Sequence, residues 1–160
     1  MACRVRVAIR MGDPPDSQLI ARPLAEFPQG LYAAPGYLDR SGWPRRPDDL
    51  VRHACLCFLA PHAGRWVLRR SGKTRGVDVA GRFRVNSVGM LRRLALQAQG
   101  IAVLADALVA DDVAQGRLER VLPGWHASAV MACAMTETRL LPAKTQRFIE
   151  FLRERLRPSP

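Results

Sequence analysis

The chain is 160 residues long, 48% hydrophobic and 24% charged, a makeup that fits one soluble folded domain and excludes a disordered or fibrous segment. A chain of this length buries roughly 70% of its unfolded surface on folding, so stability alone requires neither disulfides nor a structural metal. The 25 Lys+Arg against 14 Asp+Glu leave a net charge of +11, which puts nucleic acid among the partners to be considered.

Residues 4–10 alternate strictly, with Val5, Val7 and Ile9 on one face and Arg4, Arg6, Ala8 and Arg10 on the other, the period of a strand. Met11-Gly12-Asp13-Pro14-Pro15 stops it, because glycine and two prolines forbid continuation. An extended stretch over residues 18–24 and a short strand over residues 31–34 follow, the latter ended by Pro35-Gly36. One helical turn over residues 37–40 precedes Gly42. Pro47-Asp48-Asp49-Leu50 then opens a second short helix, with proline and acids in the first turn where free N–H groups sit.

Residues 55–59 form an apolar run of strand length. Residues 66–70 and 77–86 read as the arms of a hairpin, with Gly72 and Gly76 supplying the turn. Val88, Leu91, Leu94, Ala95 and Ala98 recur every three or four positions, which predicts an amphipathic helix over residues 87–99, closed by Gly100. A strand over 101–104, a helix over 106–115 closed by Gly116, and a strand over 118–122 come next. Strand-helix-strand-helix-strand is the order of a parallel α/β sheet. A strand over 130–136 and an amphipathic helix over 145–156, with Phe148, Ile149, Phe151, Leu152 and Leu156 inward, complete the pattern. No internal repeat recurs, no apolar run approaches the ~18 residues of a membrane span, and residues 1–10 do not read as a secretory signal.

Four cysteines, Cys3, Cys55, Cys57 and Cys133, lack any Cys-x-x-Cys spacing and read as reduced thiols. Cys55 and Cys57 point the same way along a strand, so they are either two small buried side chains or two zinc ligands. The absence of a second ligand pair at zinc spacing favours burial. His53, His62 and His126 each sit in a turn-like segment with no nucleophile elbow nearby and read as structural or surface histidines. No Gly-x-Ser-x-Gly, Gly-x-Gly-x-x-Gly, Walker loop or His-Glu-x-x-His occurs. The pairs Asp48-Asp49 and Asp111-Asp112 read as capping or solvated carboxylates. An enzyme is therefore unsupported, and no cofactor or metal is expected.

Arg65, Arg69, Arg70, Lys73 and Arg75 crowd around Ser71-Gly72. They read as a solvated hairpin tip or as a nucleic-acid lobe; aromatic platforms for bases are missing there apart from Trp66. Ligand binding has a more definite address, because open α/β sheets bind at the carboxyl ends of their strands. Arg10-Met11-Gly12, Ala34-Pro35 and Asn86-Ser87 lie at such ends. A carboxylate could dock on the helix start at Asn86-Ser87 with Arg10 as counter-charge; equally, Ser87 or Asn86 is an ordinary cap and Arg10 a surface arginine.

Val7-Ala8-Ile9-Arg10-Met11-Gly12, Leu19-Ile20-Ala21-Arg22-Pro23-Leu24, Ala33-Ala34-Pro35-Gly36-Tyr37-Leu38, Gly42-Trp43-Pro44 and Pro47-Asp48-Asp49-Leu50-Val51-Arg52-His53 together resemble the effector-binding domain of LysR-type transcriptional regulators. Val85-Asn86, Gly100-Ile101-Ala102-Val103-Leu104, Gly116-Arg117-Leu118 and Leu141-Pro142-Ala143-Lys144 continue the likeness in the same order. The resemblance implies an α/β fold like that of type II periplasmic binding proteins, here with one complete subdomain plus an incomplete second. Residues 1–25 would be a remnant of subdomain I, residues 26–128 subdomain II, and residues 129–157 the return to subdomain I with its terminal helix. The family's helix-turn-helix and the opening of subdomain I have no counterpart in these residues.

By the same resemblance the ligand-binding residues are Arg10 and Met11 at the first-strand turn, Asn86, Ser87 and Val88 at a helix start, and Ala105 and Asp106 after a later strand. The implied partner is a small-molecule effector, an organic anion, held in an inter-subdomain cleft of a cytoplasmic bacterial regulator. Intact family members are homo-oligomers that reach DNA only through the helix-turn-helix, and no membrane is involved. Two alternatives stand beside this: a small basic nucleic-acid-binding protein, and an inactive truncated fragment.

Overall fold

The computed structural model describes residues 7–12, 18–59 and 64–156. In chain order the elements are β1 (Ala8–Met11), β2 (Ile20–Ala33), α1 (Pro35–Ser41), a 3-10 helix (Pro47–Arg52), β3 (Cys55–Phe58), β4 (Arg65–Arg70) and β5 (Lys73–Asp78). These are followed by β6 (Arg84–Val85), α2 (Val88–Leu96), β7 (Ile101–Ala105), α3 (Asp106–Ala114), β8 (Glu119–Val121), β9 (Ala127–Thr136) and α4 (Ala143–Leu156). Expectations for Cys3, Arg4, Val5, Arg6 and His62 fall outside the described residues.

Several elements depart from the sequence pattern. The two stretches at 18–24 and 31–34 are one continuous strand, β2; Pro23, Pro28 and Gly30 do not break it, since extended backbone accommodates a proline wherever its N–H is not needed by a ladder. The second hairpin arm starts at Lys73, because only Ser71 and Gly72 turn, both at positive φ. Helix α2 ends at Leu96, and Ala98 rather than Gly100 takes the left-handed backbone at φ 57°. Gly100 has a different duty: a Cβ there would lie 2.3 Å from the Ala54 carbonyl oxygen, whose acceptor role toward Ile101 N–H starts β7.

The molecule divides into two compact units, one of residues up to Phe27 and from Ala129 onward, the other Pro28–Ser128. The chain passes from the first into the second within β2 and returns within β9.

In the second unit the strand order runs β2-β7-β3-β6, with β8 also paired to β2. Strands β3, β6 and β7 are parallel, while β2 is antiparallel to both β7 and β8. The sheet is thus mixed: after α3 the chain crosses to β2 instead of joining β7. Strand alternation splits the side chains into two cores. Leu31, Ala33, Cys55, Cys57 and Ile101 join Leu50, Trp66, Leu68, Val77, Val121 and Trp125 on one side. Tyr32, Leu56, Ala102 and Leu104 join Leu91 and Ala95 of α2 and Val109 of α3 on the other. Each fully buried leucine or isoleucine contributes about 1.5–3 kcal/mol. Cys55 and Cys57 are the small buried side chains of this packing, and burial pushes the Cys55 thiol up to about 12.

Asp49 behaves as a capping acid: its Oδ2 accepts from the backbone N–H groups of Arg45 and Arg46 at 2.9 and 3.1 Å. Asp112 does not behave as a solvated carboxylate. It is fully buried and accepts from Arg92 Nε at 2.6 Å and Arg117 Nη2 at 2.7 Å.

In the first unit β9 lies between β1 and β2, with Ala8 opposite Met135 and Met11 opposite Ala132. Leu24, Ala132, Ala134 and Ile149 form its core. Only Ile149 of the inward face predicted for α4 is fully buried; Phe148 and Phe151 remain 48% and 51% exposed. Strand β1 is likewise exposed, Ile9 included.

Candidate functional site

The parallel strands of the second unit all end on one edge of the sheet. Phe58 of β3 is level with Val85 of β6, and the pairing of Leu56 with Ala102, carried forward two residues, sets Phe58 level with Leu104 as well. Ser87 and Asp106 therefore stand two residues beyond the same row. The strands that lead to them, β6 and β7, lie two strand spacings apart in the sheet, about 10 Å.

Ser87 caps α2, its Oγ accepting from Met90 N–H at 3.3 Å. The N–H groups of Val88 and Gly89 precede the first intrahelical bond and point out of the helix start, which carries the positive end of the helix dipole. The approach is open: Asn86, Ser87 and Val88 are exposed, and a Cβ placed on Gly89 would meet nothing nearer than Ser87 Oγ at 3.8 Å. The sequence left two readings of Ser87, cap or anion receptor, and the structure shows the cap with N–H groups to spare.

Asp106 opens α3 and is half-buried. Its Oδ1 accepts from the Tyr32 hydroxyl at 2.8 Å and its Oδ2 from Arg120 Nη1 at 3.3 Å. Arg120 Nη2 donates to His126 Nδ1 at 2.9 Å; since arginine can only donate, this histidine nitrogen is the unprotonated one. The guanidinium lies 5.8 Å from the Tyr32 ring centroid, and its Nε is buried without a partner. Burial, then the Asp106 bond, pushes the Tyr32 hydroxyl well above its usual range. Gly30 makes room for this cluster, because a Cβ there would approach Asp106 Oδ1 and Tyr32 Cε2 to 3.0 Å. Asp106 is thereby committed to holding Tyr32 and Arg120.

Of the seven residues expected at the site, five share this carboxyl edge: Asn86, Ser87, Val88, Ala105 and Asp106. Arg10 and Met11 end β1 in the first unit, both exposed, Arg10 opposite Cys133. Tyr32, Arg120 and His126 were not read as site residues. Tyr32 sits in an apolar strand between Leu31 and Ala33, and only its cross-strand pairing with Arg120 marks it. Among the described residues no group of three His, Cys, Asp or Glu side chains is placed to hold a metal ion, and no helix is long and apolar enough to cross a membrane.

Two α/β units joined through β2 and β9, one presenting an open helix start at the carboxyl edge of its sheet, define a ligand-binding domain with the type II periplasmic-binding-protein-like fold. The chain belongs to the LysR substrate binding domain family, which it matches over residues 4–157. It is 36% identical over 165 aligned positions to the HTH-type transcriptional regulator PtxR of Pseudomonas aeruginosa, covering 98% of this chain and 51% of that protein. The solved structure of CrgA, a LysR-type transcriptional regulator from Neisseria meningitidis, is 31% identical with a TM-score of 0.78, over 95% of this chain and 52% of that one. The regulatory domain of AphB from Vibrio vulnificus is 29% identical with a TM-score of 0.73, over 92% of this chain and 74% of that one. The chain spans about half the length of the curated relatives it matches. The resemblance read over residues 5 to about 156 is thus a family membership, and these relatives are regulators of transcription.

Proposed function

We propose that this chain is the sensing part of a cytoplasmic, non-catalytic LysR-type regulator and that it takes a small organic anion at the α2 start. Ser87 with the free N–H groups of Val88 and Gly89 carries the reading, because an exposed helix start at the carboxyl edge of an α/β sheet is a prepared anion receptor. Asn86 and Val88 flank the anion. Ala105 and Asp106 border it from β7, with Asp106 fixing Arg120 in place rather than touching the anion. The family resemblance adds Arg10 and Met11 from β1.

On this reading residues 1–25 and 129–157 belong to effector subdomain I and residues 26–128 to subdomain II. The bound state biases subunit contacts in a homo-oligomer, and the response passes to a DNA-binding helix-turn-helix elsewhere in the regulator.

Calorimetric titration of a small carboxylate library against wild type, Ser87→Ala and Arg10→Ala tests this. A charge-assisted hydrogen bond is worth roughly 1.5–3 kcal/mol, so Arg10→Ala should weaken binding about ten-fold to a hundred-fold, and Ser87→Ala less. Carboxylates that bind both variants as tightly as wild type would move the site away from these residues.

A further inference from the structure

The β4–β5 hairpin carries five cations, Arg65, Arg69, Arg70, Lys73 and Arg75, against one acid, Asp78. Asp78 is occupied by Arg65 at 2.9 Å. No ion pair or side-chain hydrogen bond engages Arg69, Arg70, Lys73 or Arg75 among the described residues, and all four are exposed. Register explains why. Trp66 lies opposite Val77, Leu68 opposite Arg75 and Arg70 opposite Lys73, so the face that carries Arg70, Lys73 and Arg75 is apolar at its base and cationic at its tip, while Arg69, opposite Thr74, projects from the other face. The apolar base, Trp66, Leu68 and Val77, packs into the core with Leu50 of the 3-10 helix. The cationic tip overhangs that core.

The ribbon is held firmly: Arg69 exchanges backbone hydrogen bonds with His126 at 2.8 and 2.9 Å, and β5 lies against the 3-10 helix. That helix and the loop before it add Arg45, Arg46 and Arg52, of which only Arg46 and Arg52 share an acid, Asp49.

We propose that this ribbon is a docking surface for the phosphate backbone of duplex DNA, without base specificity, a contact in addition to the helix-turn-helix route that the family resemblance implies. Three of its four unpaired cations are arginines, whose planar fork matches phosphate. A two-stranded ribbon about 20 Å long is of a size that the B-form major groove admits. The deep, narrow major groove of duplex RNA does not admit it. Trp66 is buried, so the ribbon offers no stacking platform for single-stranded bases. A protein partner would need an apolar anchor at the centre of the contact; the outward face offers only Val67, at 38% exposure. The tip, Arg70-Ser71-Gly72-Lys73, carries no apolar wedge to enter a membrane. The proposal does not depend on the effector reading above.

Fluorescence anisotropy with a labelled mixed-sequence duplex, titrated by the whole chain between about 50 and 200 mM salt, tests it. Each phosphate neutralised contributes about 0.9 to the slope of log affinity against log salt. The variant Arg69→Gln/Arg70→Gln/Lys73→Gln/Arg75→Gln should lower that slope by about 3 to 4 and weaken binding more than ten-fold at about 100 mM salt. A control with the same charge removed elsewhere, Arg93→Gln/Arg139→Gln/Lys144→Gln/Arg147→Gln, should change the slope by less than about 1. Should circular dichroism show the hairpin variant unfolded, Lys73→Gln/Arg75→Gln replaces it, with an expected slope loss of about 2. No duplex binding at about 50 mM salt, equal losses in hairpin and control variants, or tighter binding to oligo-dT, duplex RNA, polyglutamate or anionic vesicles than to duplex DNA would overturn the proposal.

Discussion

Arg92 of α2 closes a two-pronged contact on Asp112 of α3, Nε to Oδ2 at 2.6 Å and Nη2 to Oδ1 at 2.9 Å. Arg117 completes the carboxylate's surroundings from beyond the helix end. The two helices that border the candidate site are thus pinned to each other by a fully buried acid.

Removing that acid should cost more than any surface change. Breaking a buried pair typically costs about 3–5 kcal/mol, reduced here because the two arginines keep part of their surface in water. Asp112→Ala should therefore destabilise by about 2–4 kcal/mol and lower Tm by roughly 5–15 °C. Arg117→Ala, which leaves the two-pronged Arg92 contact intact, should cost less. Scanning calorimetry on both variants checks the order; an Asp112→Ala protein as stable as wild type would contradict the buried triad.

His53 makes stability depend on pH. Its Nδ1 shares a hydrogen bond of 3.1 Å with the Tyr37 hydroxyl, which also accepts from Ala54 N–H at 2.9 Å, and the half-buried setting disfavours the charged ring. Burial lowers its pKa below the ordinary 6.5, opposed by Asp49 and aided by Arg52. The unfolded chain then binds more protons than the folded one, and stability falls as pH drops from 6.5 toward the lowered folded value. Urea unfolding at about pH 8 and about pH 5 should show this loss. His53→Gln should flatten it, and an identical slope in the variant would assign the effect to other groups.

Thiol reactivity should follow burial. Cys55 is fully buried, with its thiol at about 12, and burial raises Cys57 as well. Since the thiolate is the reacting species, iodoacetamide at about pH 8 should leave both unmodified in the native chain and modify both in denaturant. Mass spectrometry of the digested products reads this directly, and rapid native labelling of Cys55 would mean that β3 opens.

Exposed apolar side chains on α4 should drive self-association. Phe148 and Phe151 are three residues apart on one helix face and half exposed, with Arg155 5.3 Å from the Phe151 ring. Light scattering should show mass rising with concentration for wild type, and Phe148→Glu/Phe151→Glu should suppress the rise. An unchanged concentration dependence would place the contact elsewhere.

Local rules carried much of the architecture. Apolar spacing at Leu91 and Ala95 determined α2, glycine at 116 determined the end of α3, and Pro47 with Asp49 determined the 3-10 helix, because each depends on backbone geometry within a few residues. Ordered short motifs along the whole chain were enough to reveal the family. What the sequence could not decide was pairing at a distance. Asp112 looks like a surface acid until α2 brings Arg92 to it, 20 residues away in the chain. Tyr32, Arg120 and His126 gather around Asp106 only because β2 lies between β7 and β8. The burial of α4's phenylalanines was misjudged for the same reason: periodicity gives a helix its apolar face, but only the neighbouring elements decide how much of that face is covered.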